Sequence, residues 1–386
     1  MRAGATSDAI VVGAGIVGAA CAEALARDGW RVTILEETFA ASGTTAAGMG
    51  HIVVMDDSPE QLALTAYSDR LWRELGFESD RRSEVERRGT LWIAEDSTQL
   101  AALEAKRYAY ASAGVATEVL DARDLEAAEP TLRRGLAGAL RVPADSVVYP
   151  PGATLELLRR ARSRGAVLRE GVRVVALDSG FVRTQAGDTM RADVVVNAAG
   201  ARAAQLTPEL PIVPRKGHLA ITDRTSRVCR HQLVELGYLT SAHSMTTESV
   251  AFNLQPRKTG QLLIGSSREL VGWDASINRA VLRRMLARAV EFVPSLANQS
   301  VIRCWTGFRP ATPDKLPLIG AWDPTPGLWI AAGHEGLGIT TSLATAGILA
   351  DLVGGRAPAI DAAPFAPRRS QPRAIARLDD EAKVPA

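Results

Sequence analysis

Gly13-Ala-Gly15-Ile-Val-Gly18 lies between a continuous apolar run, Ala9 to Val12, and an Ala-rich segment of helical character, Ile16 to Asp28. The pattern reads as strand, tight turn and helix, with Gly29 stopping the helix. Each glycine answers a steric demand. Gly13 permits the turn, Gly15 lets the backbone approach a pyrophosphate, and Gly18 lets the helix pack closely on the strand. Arg31 to Glu36 reads as a second strand, so the two strands and their crossover helix form a βαβ unit of about 30 residues. Glu36 ends that strand about 23 residues after Gly13, where a carboxylate can accept from both ribose hydroxyls and would repel a 2′-phosphate. FAD or NAD fits, and NADP does not. A bare βα turn would account for the glycines but not for Glu36 in register. The nucleotide-binding residues expected from this unit are Gly13, Gly15, Ile16, Val17, Gly18, Glu36 and Glu37.

Farther along, small residues gather from Ser42 to Gly50, and helical spacing follows from Pro59 to Leu75. Arg88 to Ala94 reads as a strand, followed by a helix through Ala113. Turns and short strands are expected between Glu126 and Tyr149. Ala153 to Arg164 reads as a helix, and Val172 to Leu177 and Ala192 to Gly200 as strands. Alternating strands dominate from Ile212 to Ser267, with a helix from about Ser276 to Phe292. Leu328 to Ala332 is a strand and Gly338 to Leu352 an Ala-rich helix. The fold class is α/β with a β-rich, α+β second domain, and the chain visits each domain more than once. Residues 1–87, 146–214 and 303–386 are assigned to the nucleotide-binding domain. Residues 88–145 and 215–302 are assigned to the substrate-binding domain, and about 367–386 to a loose tail.

Composition excludes several functions. A net charge of +2 without a dense Lys/Arg stripe leaves no electrostatic footprint for nucleic acid. Three scattered cysteines, Cys21, Cys229 and Cys304, offer neither a disulfide framework nor a metal-binding pair. This usage points to a reducing compartment, the cytoplasm. Arg2 and the apolar stretch Ala9 to Ala26 imitate a secretory signal, but three glycines and Glu23 interrupt it. No run reaches the roughly 20 apolar residues of a membrane span.

Two further glycine-rich segments favour FAD over NAD. Ser42 to Gly50 follows the second strand directly, and Asn197-Ala-Ala-Gly200 closes a strand far along the chain. A cofactor longer than NAD needs such close backbone approaches at several places. Near the C-terminus, Ala332-Gly-His-Glu-Gly-Leu-Gly-Ile-Thr340 precedes a helix. The free N–H groups of a helix N-terminus suit the negative charge of a reduced flavin.

Taken in order, these motifs resemble the D-amino-acid oxidase superfamily of FAD-dependent oxidoreductases. They include Thr44 to Gly50, Pro214-Arg-Lys-Gly217, Gln255 to Ser267, Trp305 to Asp314 and the final Gly-His-Glu-Gly-Leu-Gly. The similarity covers nearly the whole chain. It implies a Rossmann-like FAD domain with a discontinuous β-rich substrate domain, as in glycine oxidase. It also implies amine oxidation by hydride transfer to flavin N5. By carry-over, Val174 meets the adenine region. Ser42, Thr44, Thr45, Ala47, Gly48, Met49 and Gly50 lie along the pyrophosphate and flavin, with Ala198, Ala199 and Gly200. Gly307, Arg309, His334, Glu335, Gly336, Leu337, Gly338, Ile339 and Thr340 complete the cofactor set.

Arg309 stands in Gly307-Phe-Arg-Pro-Ala-Thr-Pro, where a guanidinium fork can grip an amino-acid carboxylate through two parallel hydrogen bonds. The alternative is a structural arginine paired with Asp314 or Glu335. His51 and His334 are further catalytic candidates, because an imidazole titrates near neutral pH and could take the amine proton. The competing reading, a packing or hydrogen-bonding role, is the stronger one for each. Tyr238, His243 and Asn253 are expected to reach the pocket from the β domain, and Asn253 departs from the aromatic hydroxyl that related oxidases often carry there. Cys304 is displaced from the position that covalent flavin attachment needs, so non-covalent FAD is expected.

Ala46 to Asp57 and Gly333 to Thr341 look most like the flavoprotein subunits of bacterial D-hydroxyproline dehydrogenases, with hydrogen cyanide synthase subunits as close relatives. That resemblance implies oxidation of a cyclic secondary amine, D-hydroxyproline or D-proline, to an imine. Electrons would pass to a carrier, with small iron–sulfur or flavin subunits as partners and homo- or hetero-oligomers as assemblies. The alternatives are a glycine, sarcosine or D-amino-acid oxidase making hydrogen peroxide, and a non-catalytic flavoprotein relay subunit. Arg309 and the complete C-terminal loop speak against the last.

Overall fold

Asp8–Val12 lies inside a six-stranded sheet, between Val194–Asn197 and Arg31–Leu35. Its continuous apolar run follows from burial on both faces. The strand order is Leu318–Ala321, Leu328–Ala332, Val194–Asn197, Asp8–Val12, Arg31–Leu35, Val167–Arg169, all parallel except the first. The structure is a computed structural model that describes residues 8–77, 80–225, 229–237 and 248–369.

The helix Ile16–Arg27 packs against both Pro150–Ser163 and Gly338–Val353. Hemmed in by two helices as well as the sheet, it is buried almost all round, which is why alanine replaces the usual amphipathic stripe. Four parallel strands end on the same side of the sheet. Their C-terminal ends lead into Gly13, Glu36, Ala198 and Gly333, the crevice in which open α/β sheets bind ligands.

The second sheet has eight strands, in the order Val301–Ala311, Val213–Thr222, Leu262–Glu269, Glu248–Pro256, Gln232–Glu235, Thr90–Ala94, Gly138–Val142, Glu118–Asp121. Its two faces follow the period-two alternation of extended chain. Leu91, Ile93, Leu233, Phe252 and Leu254 pack under the helix Arg279–Phe292. Leu219, Val234 and Asn253 face the other way, toward the first domain.

Several expectations change. The domain boundaries at 214/215 and 302/303 fall inside Val213–Thr222 and Val301–Ala311, which pair along ten positions within one sheet. The substrate domain therefore takes both strands whole. The strand placed at Val172 starts at Val174 and joins a separate three-stranded antiparallel sheet with Phe181–Thr184 and Thr189–Arg191. The expected tail from 367 is anchored to Arg369, which bonds Asp314 and the carbonyls of Leu316 and Pro317. The remainder of that tail lies outside the described residues. Among the described residues no helix is long and apolar enough to cross a membrane.

Candidate active site

At the nucleotide end, Gly13 takes φ +106°, and a Cβ there would meet Ala198 O at 2.5 Å. A Cβ on Gly18 would stand 2.0 Å from Gly13 O, so Gly18 packs beneath the loop rather than lining it. Glu36 is oriented by three donors: Ala14 N to Oε2 at 2.8 Å, and Thr38 N and Oγ1 to Oε1 at 2.9 and 3.2 Å. It lines a cavity of about 900 Å³ with Gly13, Glu37, Ser42, Val174 and Ala199.

A second cavity, of about 190 Å³, continues from the first through shared walls at Gly15, Thr44, Thr45, Ala47, Ala198 and Gly200. Thr45 Oγ1 accepts from Ile16 N at 3.0 Å, tying this loop to the start of the first helix. Thr44 Oγ1 donates to Phe308 O at 2.6 Å and Trp305 Nε1 to Ala47 O at 3.3 Å, fastening it to Val301–Ala311. A Cβ on Gly307 would fall 2.4 Å from that of Ala47, so glycine is what lets strand and loop close. Beyond lie Gly48, Met49, Gly50 and the segment His334 to Thr340. Gly338, Ile339 and Thr340 form the first turn of the 16-residue helix Gly338–Val353, whose leading N–H groups have no intrahelical acceptors. The residues fit FAD: a glycine cradle that a Cβ would fill, a fixed carboxylate at the ribose end, and a positive helix terminus at the far end.

Arg309 lies in the wall of the smaller cavity and donates from Nη1 to Ser267 O at 2.9 Å. Its guanidinium lies flat on the neighbouring strand, where a Cβ on Gly217 would meet Nη1 at 2.3 Å. Asp314 is held by Arg369 at 2.7 Å, while Glu335 faces Arg215 at 3.5 Å and Arg268 at 3.8 Å. Burial would raise the Glu335 carboxyl, but Arg268, Arg309 and Arg215 hold it below its ordinary pKa. Three guanidinium groups around one carboxylate leave a locally positive field, suited to an anionic substrate group. Trp92, Val234, Asn253 and Gly265 follow one another across four strands in register. The first three, with Leu219 and Ser266, close the cavity on that side.

The family model for DAO, FAD-dependent oxidoreductase, matches residues 8–352. The chain belongs to this DAO family. A glycine oxidase of Pseudomonas aeruginosa is 31% identical over 381 residues, covering 93% of this chain and 98% of the relative. Hydrogen cyanide synthase subunit HcnC of Pseudomonas protegens is 28% identical, covering 94% and 96% of the two chains. The crystal structure of glycine oxidase from Geobacillus kaustophilus superposes with a TM-score of 0.84 at 28% identity, covering 95% of this chain and 100% of the other. The glycine oxidase-like fold and the FAD cofactor are those of the DAO family.

In this DAO-family chain, every expected cofactor residue except Gly18 lines the continuous trough. His51 and Asn253 line its smaller cavity, while Tyr238 and His243 lie outside the described residues. His51 and His334 both line the cavity, and their surroundings lower both pKa values. Burial, then the charge of Arg257, pushes the His51 pKa down to about 3. Burial pushes His334 down to about 3 as well, and its Nε2 shares a 2.9 Å hydrogen bond with Thr345 Oγ1, on the helix side. Neither titrates near neutral pH. Cys304 packs toward the opposite hydrophobic cluster and lines neither cavity. Sequence reading missed Trp92, Ser266 and the seat that Gly217 provides. Gly217 stood in a recognised motif, but only its pairing with Gly307 reveals which side chain needs the space.

Proposed function

We propose that the protein oxidises the C–N bond of a small amino acid, D-hydroxyproline or D-proline, to an imine, with electrons passing on to a carrier. Bound FAD supplies the hydride acceptor at N5. Arg309, seated on Gly217 at the flavin end of the trough, carries this reading. Its fork grips the substrate carboxylate and turns the Cα–H toward the flavin, and such orientation supplies much of the rate. The wall of Leu219, Val234, Trp92 and Met55 excludes water from the reacting carbon. The histidines of this wall stay neutral, so the substrate amine reacts in its neutral form without a side-chain base.

The likeness of Ala46 to Asp57 and Gly333 to Thr341 to D-hydroxyproline dehydrogenase subunits supports the imino acid. The hydrogen cyanide synthase relative is named as a subunit, which supports partner subunits here. Similarity to glycine oxidases along nearly the whole chain favours a second reading, an oxidase of glycine, sarcosine or D-amino acids. Anaerobic mixing with D-hydroxyproline decides the first point: the visible flavin absorbance is expected to bleach within the mixing experiment. Bleaching by glycine or sarcosine alone, with stoichiometric peroxide in air, would select the second reading. Absence of bleaching with any amino acid would leave a relay subunit.

A further inference from the structure

The cavity beside Arg309 has a mostly apolar wall, formed by Met49, Val53, Met55, Leu219, Val234 and Leu337. Polar side chains interrupt it, among them Asn253 and Ser266 on the sheet, and atoms without a hydrogen-bond partner among the described residues also stand at His51 Nε2, Trp92 Nε1 and Glu335 Oε1. Asn253 is 5% exposed and Ser266 2% exposed, yet Asn253 Oδ1 and Ser266 Oγ have no hydrogen-bond partner among the described residues. Buried polar atoms are almost always paired, so orphans in a ligand cavity mark atoms that a ligand satisfies, and these two alone belong to adjacent strands of the sheet that carries Arg309. Their positions are coupled. Asn253 stands opposite Gly265, the residue before Ser266, and the next residue, Ser267, holds Arg309 through its carbonyl. The two oxygens therefore sit on the sheet beside the carboxylate clamp, one and two strands from Val234.

We propose that Asn253 and Ser266 form a subsite for the side-chain hydroxyl of a hydroxylated amino acid. The inference rests on the reading of Arg309 as the carboxylate clamp. One hydroxyl satisfies both residues, because it donates to Asn253 Oδ1 while accepting from the Ser266 hydroxyl. An analogue without the hydroxyl leaves both oxygens buried and unpaired. A site built in this way discriminates more strongly than an apolar pocket that merely tolerates a hydroxyl. The subsite thus selects D-hydroxyproline over D-proline, and hydroxylated side chains over bare ones generally.

Two measurements on the FAD-loaded protein test this. The first compares kcat/KM for D-hydroxyproline and D-proline. The second compares binding of tetrahydrofuran carboxylate with its ring-hydroxylated derivative, read from the flavin absorbance. The second pair carries no C–N bond to oxidise, so it reports the subsite even where no amino acid is turned over. The hydroxylated member is expected to win by roughly tenfold or more in both comparisons. Asn253→Leu and Ser266→Ala should each cut that ratio by roughly 5- to 30-fold. Ser266→Ala adds no volume and decides the matter alone if Asn253→Leu fails to retain flavin. Equal binding of the two furan carboxylates by the wild type would overturn the subsite. So would equal losses for both members of each pair, which would instead assign these oxygens to the amine or the carboxylate. Failure of amino-acid turnover with the binding preference intact would sink the proposed reaction and spare the subsite.

Discussion

In the proposed reaction Arg309 is the residue on which substrate binding depends. Replacing it with Ala should raise KM strongly and lower kcat, cutting kcat/KM by roughly 30- to 1,000-fold, the usual effect of leaving a charge unpaired in a desolvated site. Arg309→Lys should recover only part, because an ammonium lacks the planar fork. Steady-state kinetics with a dye acceptor would check both, and unchanged constants would remove Arg309 from the site. The pH profile belongs to this scale too. Since His51 and His334 hold pKa values of about 3, neither contributes a limb near neutrality. kcat/KM should climb nearly tenfold per pH unit until the substrate amine itself is neutral, whereas a plateau starting near pH 7 would reveal a side-chain base. The positions of Glu36 and Arg309 on the cavity walls were readable from sequence, because each stands in a local motif. Environment was not. Nothing local to His334 announces that Thr345 takes its ring nitrogen and that burial keeps it neutral.

Elements built from local signals were legible, and those built from distant pairings were not. The strand, glycine turn and helix at the N-terminus occupy nearly their expected limits, because periodicity and glycine punctuation are local. The substrate sheet joins residues from 90 to 311, and no sequence pattern states that Gln232–Glu235 runs parallel to Thr90–Ala94. The same limit misplaced the domain boundaries inside two paired strands. Two glycine substitutions separate the elements functionally. Gly13→Ala adds a Cβ at 2.5 Å from Ala198 O on a left-handed backbone, so the turn must open. Purified Gly13→Ala protein should lack the flavin spectrum, and full retention would contradict the cradle. Gly217→Ala intrudes on Arg309, whose guanidinium supplies the three atoms nearest to the new Cβ, the first at 2.3 Å. It should keep its flavin while raising KM by roughly tenfold, the scale of one disturbed hydrogen bond to a charged group.

At the scale of the whole molecule, the trough joins two sheets, so cofactor, clamp and core stand or fall together. His334 lies between them, following the strand Leu328–Ala332 and bonded into the helix Gly338–Val353. Its lowered pKa makes stability depend on acid. The unfolded chain binds a proton on this imidazole below about pH 6.5, while the folded protein resists until about pH 3. Between those values the unfolded state carries more protons, so stability rises with pH and is lost as pH falls through the window. The integrated loss is on the order of 5 kcal/mol at its limit, a large share of a typical folding free energy. Asp145 acts in the opposite sense. Burial raises its carboxyl to about 8, so its contribution is present below about pH 4 and lost as pH rises toward 8. A comparison that changes only His334 cancels that term. His334→Gln keeps a donor for Thr345 and removes the titration. Its Tm should fall less steeply than the wild type's between pH 6.5 and 4, with both proteins saturated in FAD. Parallel curves would mean that the imidazole is reached by solvent or water in the folded protein, and that burial at this junction does not set its charge.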